Sequence, residues 1–397
     1  MDATKSEEPG IELPSDSLVL FLVSSSHGIN HLAMFVYPIL LPAIMTEFNL
    51  SYVLAGLLLV AYMVTSGAPQ FVVGILQQHI RRKILLAVGT IWNALMTMCG
   101  SVAANFGQLV TTRILAGIGA SVQHPTGSSM LAERFIGKRM GMAMGFNIAG
   151  ATVGSLIAVP LGSALLQSFG WRTTLLLIGI PGLFMGMMLL FLKNTRRTPS
   201  SPSGSPSFFR GLKDAYLTRP ILALTMVHCV IDFRLGVLSF IPTYLVKEVG
   251  FDIQTSASLY MLLLIGSAIG SILWGVVSDM LGKKQVIIGA LGVSAPLVYI
   301  LPLLNSIYPL VILLLTLGLT YQTVSPLVQA LAADFTNPED IDQVFGVFYT
   351  IAFTLGLVGP LMFGYITDLF DFKAAFTYVA AVTLIAIIPA LLIPKRQ

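Results

Sequence analysis

The stretch Leu18-Val-Leu-Phe-Leu-Val-Ser-Ser-Ser-His27-Gly-Ile-Asn30-His31-Leu-Ala-Met-Phe-Val-Tyr-Pro-Ile-Leu-Leu-Pro-Ala-Ile44 decides how the chain is read. A hydrocarbon core of about 30 Å takes about 20 helical residues, so this run is long enough to cross a bilayer. Two imidazoles and an amide sit in its middle, where polar groups are costly. His27 and His31 are four residues apart and share one face of a helix. Polar side chains inside membrane helices face a protein interior or a watery cavity, and the remaining sequence is what surrounds that face.

The 397 residues are 55% hydrophobic and 10% charged, with a mean hydropathy of +0.86, whereas soluble domains carry about 25% charged residues. That composition is an all-α, polytopic membrane protein's. The net charge of +4 comes from basic residues clustered between apolar runs, as at a cytoplasmic membrane face, which sets nucleic acid aside as a partner. Cys99 and Cys229 each lie inside an apolar run, so neither a disulfide nor a thiolate metal site is expected. Residues 1–17 are polar and the run after them is too long for a signal peptide, so no cleavable signal is expected.

Apolar runs separated by polar punctuation give twelve candidate spans, near 18–44, 52–76, 84–104, 107–131, 140–166, 173–192, 220–245, 255–277, 286–304, 307–332, 343–366 and 374–393. The implied layout is a tail 1–17, a six-helix bundle 18–192, a linker 193–219, a second bundle 220–393 and a tail 394–397. The linker core, Thr198-Pro-Ser-Ser-Pro-Ser-Gly-Ser-Pro206, reads as a flexible tether. With the N-terminus placed inside, seventeen of the 22 Lys and Arg fall on the inner side. Outside lie only Arg172, Lys247 and Lys373, which puts both termini in the cytoplasm.

A constant shift of 201 residues carries His27 onto His228, His31 onto Asp232, Gly74 onto Gly275 and Arg82-Lys83 onto Lys283-Lys284. The same shift carries Pro125 onto Pro326, Glu133 onto Asp334, Gly145 onto Gly346, Phe169 onto Phe370 and Arg172 onto Lys373. One offset holding from the first to the fifth span of each half indicates a duplicated six-span unit.

Gly74-Ile-Leu-Gln-Gln-His-Ile-Arg-Arg-Lys83 resembles the signature between helices 2 and 3 of the major facilitator superfamily, with Gln78 where an acid is usual. Its second copy, Gly275-Val-Val-Ser-Asp279-Met-Leu-Gly282-Lys-Lys284, keeps that acid. Arg113-Ile-Leu-Ala-Gly117-Ile-Gly119 resembles the superfamily's helix 4 motif, and Gly145 to Gly162 its Gly/Pro-rich helix 5 motif frequent in antiporters. Within the superfamily, His27-x-x-Asn30 and Gly119-Ala-Ser-Val-Gln-His124-Pro125 are similar to the fosmidomycin-resistance type of efflux protein, although an Asp usually stands where this chain has His31.

The resemblance implies that helices 1, 4, 7 and 10 line a central cavity. Their polar content here is His27, Asn30, His31, Arg113, Gln123, His124, His228, Asp232, Arg234, Tyr321, Gln322 and Ser325. All but Asp232 and Ser325 are taken as candidate substrate-binding residues; the bland alternative is that each merely bonds a neighbouring helix. Asp232 is the only acid in the interior of a span. A carboxylate there can load and release a proton as access alternates, with His228 four residues before it, or it can be a structural partner of Arg113 or of a histidine. Arg113 and Arg234 make the cavity attractive to an anion, with helix packing as the alternative for Arg113.

His27, His31, His124 and Asp232 could also ligate a transition metal, but a buried ion would be static where a carrier must release its cargo. No metal and no cofactor is expected. The resemblance further casts Arg82, Lys83, Glu133, Asp279, Lys283 and Asp334 as gating residues, with Asp279 capping a neighbouring helix. Glycines at 141, 145, 150 and 154, and at 346, 356, 359 and 364, are read as helix-packing positions.

The expected function is a secondary carrier working by alternating access, exporting a small anionic or amphiphilic compound or drug in exchange for protons. The alternative is proton-coupled uptake of an organic anion such as a carboxylate. An enzyme is set aside because no HExxH, GxSxG or Walker-type motif occurs. A sensor is set aside because the tails and linker are short. The expected partners are a small-molecule substrate, protons and the lipid bilayer, with the chain a monomer in the cell membrane.

Overall fold

The computed structural model describes residues 16–77, 79–135, 140–192, 217–321, 324–336, 341–356 and 358–394, and among these it is helical with no strand. Helices follow from the apolar runs, because in hydrocarbon each backbone N–H and C=O must be satisfied within its own segment. Eight stretches are long and apolar enough to cross a membrane. That is fewer than the twelve runs marked in the sequence: 140–166 and 173–192 fall in one stretch, and 107–131, 220–245 and 343–366 are not among the eight.

The first stretch is α1 (Asp16–Phe35) and α2 (Tyr37–Phe48), offset at Val36 where Pro38 has no N–H to continue the ladder. Next come α3 (Tyr52–Gly67), α4 (Gln70–Leu76) and α5 (Arg82–Cys99). The run after Asn105 is interrupted: α6 (Phe106–Ala120) passes through a π-helical turn at Gln123–Gly127 before α7 (Ser128–Phe135). Pro125 sits in that turn and supplies no N–H.

The 51-residue α8 (Met140–Leu190) would be about 77 Å long if straight, more than twice the hydrocarbon thickness. It bends at Gly170, whose φ of 75° and ψ of 168° suit only glycine. The two marked runs are therefore two helical arms meeting at Gly170, where the backbone leaves the helical region. The first arm packs against α1 so closely that a Cβ on Gly154 would strike the backbone of Gly28. The second packs against Ala94 and Met98 of α5.

The chain continues with α9 (Arg219–Leu238), α10 (Ile241–Lys247), α11 (Ile253–Leu281), α12 (Lys283–Ile300), α13 (Ile307–Tyr321), α14 (Val324–Asp334), α15 (Ile341–Gly356), α16 (Val358–Leu369), α17 (Phe372–Ile385) and α18 (Ile387–Leu392). Of the linker read at 193–219, residues 193–216 lie outside the described residues and Arg219 already begins α9. Side-chain caps at Ser51, Asn105, Asp252 and Asp371 start α3, α6, α11 and α17, and all four lie at one end of the molecule. Of the glycines marked for packing, Gly356 and Gly359 meet the backbone of α9 at Asp232 and Phe233, and Gly364 meets Tyr52. Gly145 is a correction, since nothing lies within 4 Å of the place its Cβ would take.

The offset of 201 reappears as paired contacts. Lys83 Nζ donates to the carbonyl of Leu192 at 2.5 Å, and Lys284 Nζ to that of Ile393 at the same distance. Arg82 pairs with Glu133, and Lys283 with Asp334 at 2.6 Å.

One apolar core runs through residues from both sides of the linker, among them Tyr37, Leu40, Tyr244, Tyr260, Phe363 and Phe372. Two smaller cores do not mix: one draws only on residues between 19 and 192, the other only on residues between 221 and 393. Hydrogen bonds between the two stretches gather at the capped end. Asp368 accepts from the N–H groups of Tyr52 and Val53 at 2.8 and 2.9 Å, Lys247 donates to Thr46 Oγ1, and Ser163 donates to Gln254. The two stretches are sealed together at that end, and the two unmixed cores lie within one stretch each.

Candidate functional site

Three of the five histidines meet midway along α1. The His27 ring lies 5.0 Å from His31 and 4.8 Å from His124, both edge-on. The π-helical turn carries His124 out of the regular ladder toward α1, and such turns recur at functional sites. His27 is buried, His31 half-buried and His124 exposed. His27 Nδ1 faces the carbonyl and side chain of Asn147 at 3.1 and 3.2 Å, and His31 Nδ1 faces Ser155 Oγ at 3.0 Å.

Beside them is an amide network. Gln123 Oε1 accepts from Asn30 at 3.2 Å and from Ser26 at 3.0 Å, its Nε2 donates to the carbonyl of Val23, and Asn93 donates to Asn30. Buried polar groups are normally satisfied in this way, so Asn30 and Gln123 tie α1 to α5 and to the π-helical turn as they stand.

Arg113 and Arg234 are among the most deeply buried side chains, 2% and 0% exposed. The Arg113 guanidinium is held between two rings, 3.7 Å from the centroid of Tyr37 and 4.2 Å from that of Tyr62. Arg234 lies 3.7 Å from the centroid of Tyr321, whose hydroxyl donates to the Arg234 carbonyl, and its Nη2 donates to Ser294. Nε and Nη1 of both guanidiniums have no hydrogen-bond partner, and among the described residues no carboxylate pairs with either. Arg113 shares a small cavity with Met34, Phe35 and Ser239, so its wall is built from both sides of the linker.

Asp232 is buried in α9 with Oδ2 3.9 Å from His228 Nε2. The Asp232–Arg113 pair left open by the sequence is not formed, and of the two structural alternatives only the histidine stands near. Gln322 lies outside the described residues; Tyr321 is buried beneath Arg234. Arg82–Glu133, Lys283–Asp334 and the lysine-to-carbonyl bonds each join residues of one stretch. Asp279 is exposed and, among the described residues, caps no neighbouring helix, a departure from the reading by resemblance.

Sequence reasoning missed the partners of the named groups: Asn93, Asn147, Ser155, Tyr37, Tyr62 and Ser294. Asn93 and Asn147 carried a usable signal, since an amide inside an apolar run needs a partner. The tyrosines did not, because aromatic residues are ordinary in such helices.

Helices of membrane-crossing length, paired contacts repeated at one offset and two deeply buried arginines fit a multi-pass membrane protein built from a duplicated unit. The chain belongs to the Major Facilitator Superfamily, whose profile matches residues 23–267 and 233–397. It is 23% identical to the fosmidomycin resistance protein of Escherichia coli (strain K12), covering 96% of this chain and 93% of that one. It is 24% identical to the hexuronate transporter of Bacillus subtilis (strain 168), covering 88% and 87%. Its fold matches a bacterial homolog of the human lysosomal transporter Spinster in an inward-facing, occupied conformation, with a TM-score of 0.81, 17% identity and coverage of 95% and 96%.

Proposed function

We propose that the chain is a secondary active carrier of twelve transmembrane helices in two six-helix bundles, 18–192 and 220–393, joined by a cytoplasmic linker. Both termini lie in the cytoplasm of a multi-pass cell-membrane protein, and the sealed end faces outward, so the conformation is inward-facing. The carrier moves a small anionic or amphiphilic compound outward in exchange for protons, the bundles rocking about a midplane cavity. Arg82–Glu133, Lys283–Asp334, Lys83 and Asp279 act at the cytoplasmic mouth, their geometry leaving that mouth free to close.

The observation that carries this reading is the state of Arg113 and Arg234. Burying a guanidinium costs several kcal/mol even after relaxation, and stacking on a desolvated aromatic ring returns about 2 kcal/mol. The remainder favours an anion that brings its own acceptors to the unused N–H groups. Asp232, beside His228, is the group best placed to exchange a proton.

The resemblance to both an efflux protein and a hexuronate transporter keeps proton-coupled uptake of an organic anion as the second reading. The same residues serve it with the opposite coupling sign. The test is a thermal-shift screen of anions and drugs on purified protein, followed by liposome flux under an imposed pH gradient. Gradient-driven accumulation is the expected result; flux of the best ligand that ignores the gradient rules out proton coupling.

A further inference from the structure

We infer that His27, His31 and His124 form a binding site for a divalent transition-metal ion of the zinc and cobalt class. The one candidate ligand atom of each residue lies within 4.8 Å of the other two, the only such three-residue set among the described residues. A tetrahedral ion with bonds of about 2.1 Å holds its nitrogens about 3.4 Å apart, so ring rotations closing about 1.4 Å complete the set.

The hydrogen bonds around the rings decide which nitrogen is free. His27 Nδ1 faces a backbone carbonyl, which only accepts, so Nδ1 carries the proton and Nε2 the lone pair. That Nε2 is buried and has no partner, on a residue only 4% exposed. Ser155 spends its one proton on the carbonyl of Ala151, so its oxygen accepts from His31 Nδ1–H and leaves His31 Nε2 with its lone pair. Two neighbouring imidazoles are thus fixed in the ligating tautomer by outer partners, which is how metal-bound histidines are held. Either ring nitrogen of His124 is a potential third donor.

The sequence reading set metal aside because a buried ion would be trapped. The exposed ring of His124 removes that objection by giving the site an accessible side. Three neutral imidazoles leave the ion's charge of +2 uncompensated and at least one coordination position open. Hydroxide, chloride or a carboxylate would fill it. The second bundle lacks the set, since the offset places His228, Asp232 and Ser325 at the equivalent positions.

The inference is independent of what the protein transports, and its test involves no flux. Tag-free protein in detergent, stripped of metal, is titrated with Co2+ while visible absorption is followed, and Zn2+ is then added. One Co2+ per chain with bands of a four- or five-coordinate centre, displaced by one Zn2+, is expected. His27→Ala and His124→Ala each abolish the signal, whereas His79→Ala and His228→Ala keep it. Asn147→Ala weakens binding about ten- to a hundredfold by freeing the His27 ring. Metal-free thermal unfolding of the His124→Ala variant, altered at an exposed ring, stays at the wild-type midpoint. No saturable stoichiometric site in the wild type, or a site that survives in His124→Ala, overturns the inference.

Discussion

The guanidinium carbon of Arg113 stands 3.7 Å from the centroid of the Tyr37 ring, the same separation that holds Arg234 to Tyr321 in the other bundle. The two pairs do not correspond under the internal offset: Arg113 is on α6 and Arg234 on α9. The chain has reached one solution, a buried cation on an aromatic face, from two unrelated positions.

Arg113→Ala weakens binding of anionic ligands about ten- to a hundredfold, the worth of one charge-assisted hydrogen bond. Neutral analogues lose far less. Thermal-shift titrations of matched acids and amides measure the difference, and equal losses for both would remove the case for an anionic substrate.

Asp232→Asn keeps ligand exchange across the membrane and loses accumulation driven by a pH gradient. Counterflow and gradient-driven uptake in the same liposomes separate the two. Intact accumulation in the variant would place the proton on another group.

Gly154→Ala forces a methyl group into the backbone of Gly28 and lowers stability by about 1–3 kcal/mol, the usual cost of overpacking. Gly145→Ala, nine residues earlier on the same arm, meets nothing and is neutral or stabilising by up to about 1 kcal/mol. Unfolding of the two variants in one detergent checks the contrast.

Asp252, an exposed residue, caps α11. The Thr255 hydroxyl and N–H bonded to its carboxylate, at 2.6 and 3.0 Å, hold the carboxyl below the usual range. A carboxyl lowered in the folded state stabilises above its unfolded value of about 3.9, and that contribution fades as pH falls through the folded value. Asp252→Ala therefore lowers the unfolding temperature at pH 7, and the gap to wild type narrows as the pH drops below 4.

The duplication and the helical class were legible because both depend on regularities that survive in one dimension. Asp232 and the histidines stood out for a related reason, as polar residues are conspicuous in apolar runs. Gly170 went unread, since a positive φ is a property of a corner that hydropathy does not record. Arg113 was marked but its surroundings were not: cation–ring stacking joins residues 37, 62 and 113, and no spacing rule connects them. Asp279 was marked by resemblance, and among the described residues it is exposed.

The seal at the capped end is made mostly of aromatic and aliphatic side chains, with few fixed charges across it. Apolar association loses strength on cooling, whereas ion pairs depend on temperature differently. A fold joined at one end by oily contacts, with its charged pairs Arg82–Glu133 and Lys283–Asp334 each inside one stretch, is therefore thermally lopsided: chilling loosens the joined end and leaves the pairs within each stretch in place.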